Sequence, residues 1–67
     1  MIHDLKFTAQ EMELLLNVLE SKQRDLAVEV AHTEALGAKA ELRTRQRVLD
    51  RLVERVRAEV ETQRQTA

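Results

Sequence analysis

His32-Thr33-Glu34-Ala35-Leu36-Gly37 is the stretch that decides the fold, because it separates two long aliphatic stripes and holds two residues that interrupt a helix. Thr33 carries a hydroxyl suited to capping a second helix, and Gly37, the only glycine, can take the left-handed backbone that ends a first one. On the amino-terminal side Met12, Leu15, Leu16, Leu19, Leu26 and Val30 recur at spacings of three and four, with Gln23 as the polar interruption. One face of a 3.6-residue helix requires that spacing. On the carboxyl-terminal side Leu42, Leu49, Leu52, Val53, Val56 and Val60 repeat the pattern, with Arg45 standing where an aliphatic residue is expected. The alternative is one uninterrupted helix of about 55 residues, since a single glycine costs a helix only about 1 kcal/mol.

Register separates the two possibilities. In an antiparallel hairpin facing residue numbers add to a constant, and a constant of 68 pairs Met12 with Val56, Leu15 with Val53, Leu16 with Leu52, Leu19 with Leu49, Leu26 with Leu42 and Val30 with Ala38. The same register sets Gln23 opposite Arg45, so polar meets polar in a layer of its own. Its midpoint, residue 34, falls inside the interrupting stretch. The chain is therefore expected to be all-α, one antiparallel two-helix hairpin over residues 1–67. Its expected parts are a lead-in at 1–7, helix 1 at about 9–33, a turn at about 33–37 and helix 2 at about 38–64. Helix 1 opens on Thr8-Ala9-Gln10-Glu11, a capping box, with Phe7 and Met12 spaced as a hydrophobic staple. Ile2 and Leu5 of the lead-in are expected to fold back on the helices.

Composition agrees with this reading. The chain has no proline, a single aromatic in Phe7, and 43% hydrophobic residues, the usage of helical bundles rather than of strands or disorder. Cysteine is absent, which excludes disulfides and thiolate sites and leads to the expectation of a reducing, cytoplasmic setting. The longest apolar run is Leu14-Leu15-Leu16, and Met1-Ile2-His3-Asp4-Leu5-Lys6 lacks the pattern of a signal peptide, so neither membrane insertion nor export is expected. Eleven Lys and Arg against twelve Asp and Glu argue against a generic polyanion binder. The charges are divided, however. Residues 1–33 carry three basic and six acidic groups, and residues 34–67 eight and six, so an acidic helix lies beside a basic one.

Two helices make one seam, and one seam is thin for a chain of 67 residues. Leu14, Val18, Val28 and Val48 lie off both stripes and need another cover. A homodimeric four-helix bundle, or a higher oligomer, supplies it, because a twofold axis covers the same flank of both protomers. An unidentified protein partner would serve the same surface. In such a bundle Gln23 and Arg45 are expected to act as a register layer, penalising slipped alignments.

Candidate chemistry is sparse. Glu29-Val30-Ala31-His32 places a carboxylate and an imidazole on one helical face, and Glu41 is the further carboxylate that helix 2 offers. A di-iron bundle needs two such motifs and more inward carboxylates, so no metal and no cofactor are expected, and His32 is read as a partner for the carbonyl end of helix 1. Arg43, Arg47, Arg51 and Arg55 repeat every fourth residue as a ridge that could meet an anion, but Asp50 and Glu54 lie beside it and no stacking aromatic accompanies it. Ser21 has no neighbouring base, and no hydrolytic triad can be assembled. The expected role is non-enzymatic.

Leu19-Glu20-Ser21, Arg24-Asp25-Leu26, Glu29-Val30, Thr33-Glu34, Leu42-Arg43, Arg45, Leu49 and Leu52 together resemble a group of short bacterial helical-hairpin proteins. The resemblance implies a leucine-rich first helix, a Thr-acidic turn and an Arg-rich second helix, and carries no activity with it. In size and architecture the chain is also similar, at the level of the fold alone, to Rop, a dimeric helical hairpin that binds paired RNA loops.

Overall fold

The computed structural model describes residues 6–66, and of Thr66 only the backbone. It contains two helices, α1 (Ala9–His32) and α2 (Leu36–Thr66), joined by Thr33, Glu34 and Ala35, and no strand among the described residues. A 31-residue helix is about 46 Å long, and the molecule measures 47 × 23 × 15 Å, so α1 lies folded back along α2. Three side-chain ties across the pair span 27, 37 and 51 residues of chain, lengthening steadily away from the turn as an antiparallel hairpin demands. Ile2 and Leu5 lie outside the described residues.

The start of α1 is fixed locally. The Thr8 hydroxyl accepts from the Glu11 amide at 3.1 Å, and the Thr8 amide donates to Glu11 Oε1 at 2.8 Å, which completes the capping box and satisfies two donors. Phe7 stands 38% exposed beside it. At the other end Thr33 belongs to α1 and caps nothing of α2, contrary to the expectation. Its amide donates to Val30 O at 3.3 Å and its hydroxyl to Glu29 O at 2.7 Å, occupying carbonyls that the helix end leaves bare. His32 Nδ1 lies 2.9 Å from Val28 O, the placement of an Nδ1–H tautomer donating back to its own helix.

Helix α2 begins two residues before its expected start. The Lys39 amide donates to Ala35 O at 2.9 Å, the first bond of the helix, and Gly37 sits inside the first turn. No glycine has a positive φ, so Gly37 is not the left-handed terminator it was read to be. The turn is made instead by Thr33, whose extended backbone (φ −92°, ψ 121°) breaks α1.

The core is a single file. Met12, Leu26, Val30, Val53, Val56 and Val60 are buried, and Val53 is the most enclosed at 1% exposure. Most of the half-buried side chains extend the file to Met12, Leu16, Leu19, Gln23, Leu26 and Val30 on α1, Thr33 just beyond it, and Lys39, Leu42, Gln46, Leu49, Val53, Val56, Val60 and Gln63 on α2, while Leu15 and Glu20 are half-buried beside it. Both alternate spacings of three and four, the seam of an antiparallel coiled coil. Met12 clusters with Val56 and Val60, and Leu15, Leu16 and Leu19 pack against that cluster. The ties Gln23–Asp50, Glu20–Arg57 and Glu13–Arg64 fix the alignment. The rungs that satisfy the files and the ties together are Met12 with Val60, Leu16 with Val56, Leu19 with Val53, Gln23 with Leu49, Leu26 with Gln46 and Val30 with Leu42.

These rungs differ from the expected register by four residues, one helical turn. Part of the shift is geometric: side chains lean toward the amino end of their own helix, so in an antiparallel pair the side chains that meet lie further along both chains than the backbones that do. The rest is compositional. Gln46 and Gln63 hold seam positions that a search for aliphatic residues passes over, and Leu52, placed in the seam by the expectation, stands 42% exposed beside it.

Candidate functional site

The seam has two flanks, and the chain builds them differently. One is formed by residues that directly follow seam residues: Glu13 after Met12, Glu20 after Leu19, Asp50 after Leu49, Arg57 after Val56 and Arg64 after Gln63. This flank is bridged. Arg57 meets Glu20 at 2.6 Å, Arg64 meets Glu13 at 3.0 Å, and the Gln23 amide donates to Asp50 Oδ1 at 2.8 Å. Gln23 and Arg45 therefore do not form a layer, as had been expected. Gln23 turns to Asp50, which follows its rung partner Leu49, and Arg45 is exposed on the opposite flank of the seam because the seam passes through Gln46 instead.

The other flank is formed by residues that precede seam residues: Leu15, Lys22 and Glu29 on α1, Arg45, Leu52 and Glu59 on α2. It is open. A groove of about 410 Å³ runs along it, walled by Lys22, Leu26 and Glu29 from α1 and by Thr44, Arg45, Val48, Leu49 and Leu52 from α2. Lys22 and Arg45 have the same charge and cannot bridge the seam as Glu20 and Arg57 do on the other side. Leu15 and Leu52 stand where a second ion pair would otherwise close it.

Of the residues expected to carry an interface, Val48 lines the groove at 61% exposure, and Val18 follows Leu15 around the same side of α1. Leu14 and Val28 are also exposed, displaced further round the outer surface of α1. Leu52 is the residue the sequence reading missed as an interface position, and the signal that identifies it is the seam spacing through Gln46 and Gln63. The arginine ridge of Arg43, Arg47, Arg51 and Arg55 is exposed on α2, and the ion pairs across the helices use Arg57 and Arg64 rather than these four. A second, slightly smaller depression of about 370 Å³ adjoins the ridge near the turn, lined by Leu36, Lys39, Ala40, Arg43, Thr44 and Arg47.

Among the described residues no three His, Cys, Asp or Glu side chains gather in a way that could hold a metal ion. Glu29 is in the groove wall, His32 is bonded to its own helix, and Glu41 is exposed on α2. No described helix is long and apolar enough to cross a membrane. Set against known protein families, curated proteins and solved structures, the chain matches none of them.

Proposed function

We propose that this chain is a non-enzymatic, self-associating helical module that acts as a homodimeric four-helix bundle and needs no cofactor. The observation that carries the reading is the distribution of aliphatic side chains. Six are buried in the seam, while Leu14, Val18, Val28, Val48 and Leu52 remain on the surface, with Val48 and Leu52 lining an open groove. A hairpin of this size has little stability to spare, and covering that flank with a second hairpin supplies the missing core layer. The absence of cysteine suits a reducing, cytoplasmic setting. Size-exclusion chromatography with light scattering tests it on the full chain: the expected mass is twice the 7.8 kDa of one chain, or a higher multiple. A folded species that stays at one chain across the micromolar range overturns it.

A second reading, a nucleic-acid-binding hairpin with Rop-like use of its surface, is supported by the exposed ridge of Arg43, Arg47, Arg51 and Arg55 and the cationic depression at its turn end. Nucleic acid that remains with the purified protein favours it, read as a 260 nm band far above what the single phenylalanine, Phe7, gives a chain without Trp or Tyr. A clean protein spectrum that does not respond to added RNA or DNA at low salt removes it.

A further inference from the structure

We infer that the outer face of α2 beside the turn docks an acidic peptide segment of another protein, one that brings an aliphatic side chain to Leu36 and carboxylates to Arg43 and Arg47. The inference needs neither self-association nor nucleic acid, and it concerns a different face from the open groove.

The face is a short stripe. Leu36, Ala40, Arg43 and Arg47 follow one another at spacings of four, three and four, so they line up along one side of α2. They wall the depression of about 370 Å³ together with Lys39 and Thr44, and every charged side chain that lines it is a cation. Glu34, Glu41, Asp50 and Glu54 are the carboxylates nearest in sequence, and none lines it; Asp50 accepts from Gln23 at 2.8 Å. Among the described residues the ion pairs join Arg57 to Glu20 and Arg64 to Glu13 and Glu61, and none reaches Lys39, Arg43 or Arg47. The depression is therefore cationic and uncompensated within the hairpin.

The cations select an anion, and guanidinium groups suit a carboxylate or a phosphate held by two N–H donors. Leu36 separates those two. It is 84% exposed, more than any other large aliphatic side chain among the described residues, and it forms the depression's wall with Ala40. A phosphodiester backbone has no aliphatic group to cover it, and no aromatic stands in the depression to stack a base. An acidic peptide offers both groups. The formal charge of -1 on the whole chain gives little long-range pull on a polyanion, so recognition rests on these short-range contacts. The order of residues along the face sets the order in the partner. Arg43 and Arg47 follow Leu36 by seven and eleven residues, about 10 and 16 Å along the helix axis. A helical partner matches that with a leucine and with acidic residues seven and eleven positions away from it.

Fluorescence anisotropy tests this with the full chain and labelled helical peptides at about 0.15 M salt. Each peptide carries one leucine and glutamates seven and eleven positions from it, after the leucine in one peptide and before it in the other. At least one is expected to bind in the micromolar range. Replacing its leucine with serine, or Leu36→Ser in the chain, is expected to weaken binding about 10-fold. Arg43→Glu with Arg47→Glu is expected to weaken it about 100-fold. Arg55→Glu, on the ridge but two turns beyond the depression, is expected to change it less than about 3-fold. Helical circular dichroism checks that each variant is folded, and the change made in the peptide reads the same contact with the chain untouched. Absence of binding by both peptides overturns the inference, as does indifference to both leucines, or a loss with Arg55→Glu as large as with the Arg43 and Arg47 pair. A duplex RNA or DNA probe that binds more tightly than the peptides and ignores Leu36→Ser also overturns it, and assigns the face to nucleic acid.

Discussion

The two flanks of the seam are cut from the same pair of helices, one residue to either side of the same rungs, and they do opposite things. On one, Glu13 and Glu20 of α1 stand against Arg64 and Arg57 of α2, and Gln23 reaches Asp50, so the hairpin closes itself. On the other, Lys22 shares a groove with Arg45, and Val48 and Leu52 are left in water. The seam residues set how the helices align. The residues just outside it determine which side is bridged within the chain and which side is left as an open groove. Two stripes one residue apart thus give one hairpin a closed side and an open one.

The comparison breaks most readily on the open side. Val48→Glu with Leu52→Glu puts two carboxylates into the flank where the proposed dimer would be joined, and is expected to raise the dimer dissociation constant 100-fold or more, with mass falling to a single chain by light scattering. The same pair of changes leaves the cross-helix ties untouched, so a chain that stays dimeric would move the interface elsewhere, with the outer face of α1 carrying Leu14 and Val28 as the next candidate. A smaller effect belongs to the boundary between flank and seam. Gln23→Leu replaces a half-buried amide on the Leu49 rung with an aliphatic group and frees an exposed Asp50 to solvent. The melting temperature is expected to rise by about 4–8 °C, the equivalent of about 1 kcal/mol in a domain of this size. A lower melting temperature would mean that the bond to Asp50 outweighs the added burial.

The smallest effect lies on the closed side. Both partners of the Arg57–Glu20 pair are partly solvated, with side chains 56% and 30% exposed, so a double-mutant cycle to alanine is expected to give a coupling of only about 0.2–1 kcal/mol, weakened further by salt. A coupling well above that range, measured from urea midpoints, would show that the bridged flank holds the hairpin together as much as the aliphatic file does. The ordering of these three results, apolar flank, then seam amide, then ion pair, is the content of the comparison.

Much of this was readable before any coordinates. The capping box at Thr8 and Glu11 depends on residues three apart in sequence, and local chemistry of that kind is visible in a string of letters. The aliphatic spacing identified both helices, and Met12, Leu26, Val30, Val53, Val56 and Val60 all lie in the stripes it drew. Register was not readable, because it depends on how polar residues are counted. Gln46 and Gln63 occupy seam positions on geometry alone, and once they are passed over, Arg45 and Leu52 are drawn inward and the alignment slips by one turn. Thr33 and Gly37 misled for a related reason. Each residue type is compatible with several places at a helix end, and the choice was made by the bare carbonyls of Glu29 and Val30, which the Thr33 hydroxyl and amide satisfy. The open groove follows from register, and so could not be located until register was known.

The spacing of the three ties also has a consequence in time. Gln23 to Asp50 closes 27 residues of chain, Glu20 to Arg57 closes 37 and Glu13 to Arg64 closes 51. Each longer closure is entropically harder to make first and easier once the shorter one exists. The hairpin accordingly zips from Thr33 outward, with contacts local enough for fast folding. The Met12 and Val60 end, farthest from the turn, is the last to dock and the first to open. Of the open flank, Val48 and Leu52 lie between those limits, while Leu15 packs on the Met12, Val56 and Val60 cluster and docks with the last end. The flank is therefore whole only once the hairpin has closed along its full length.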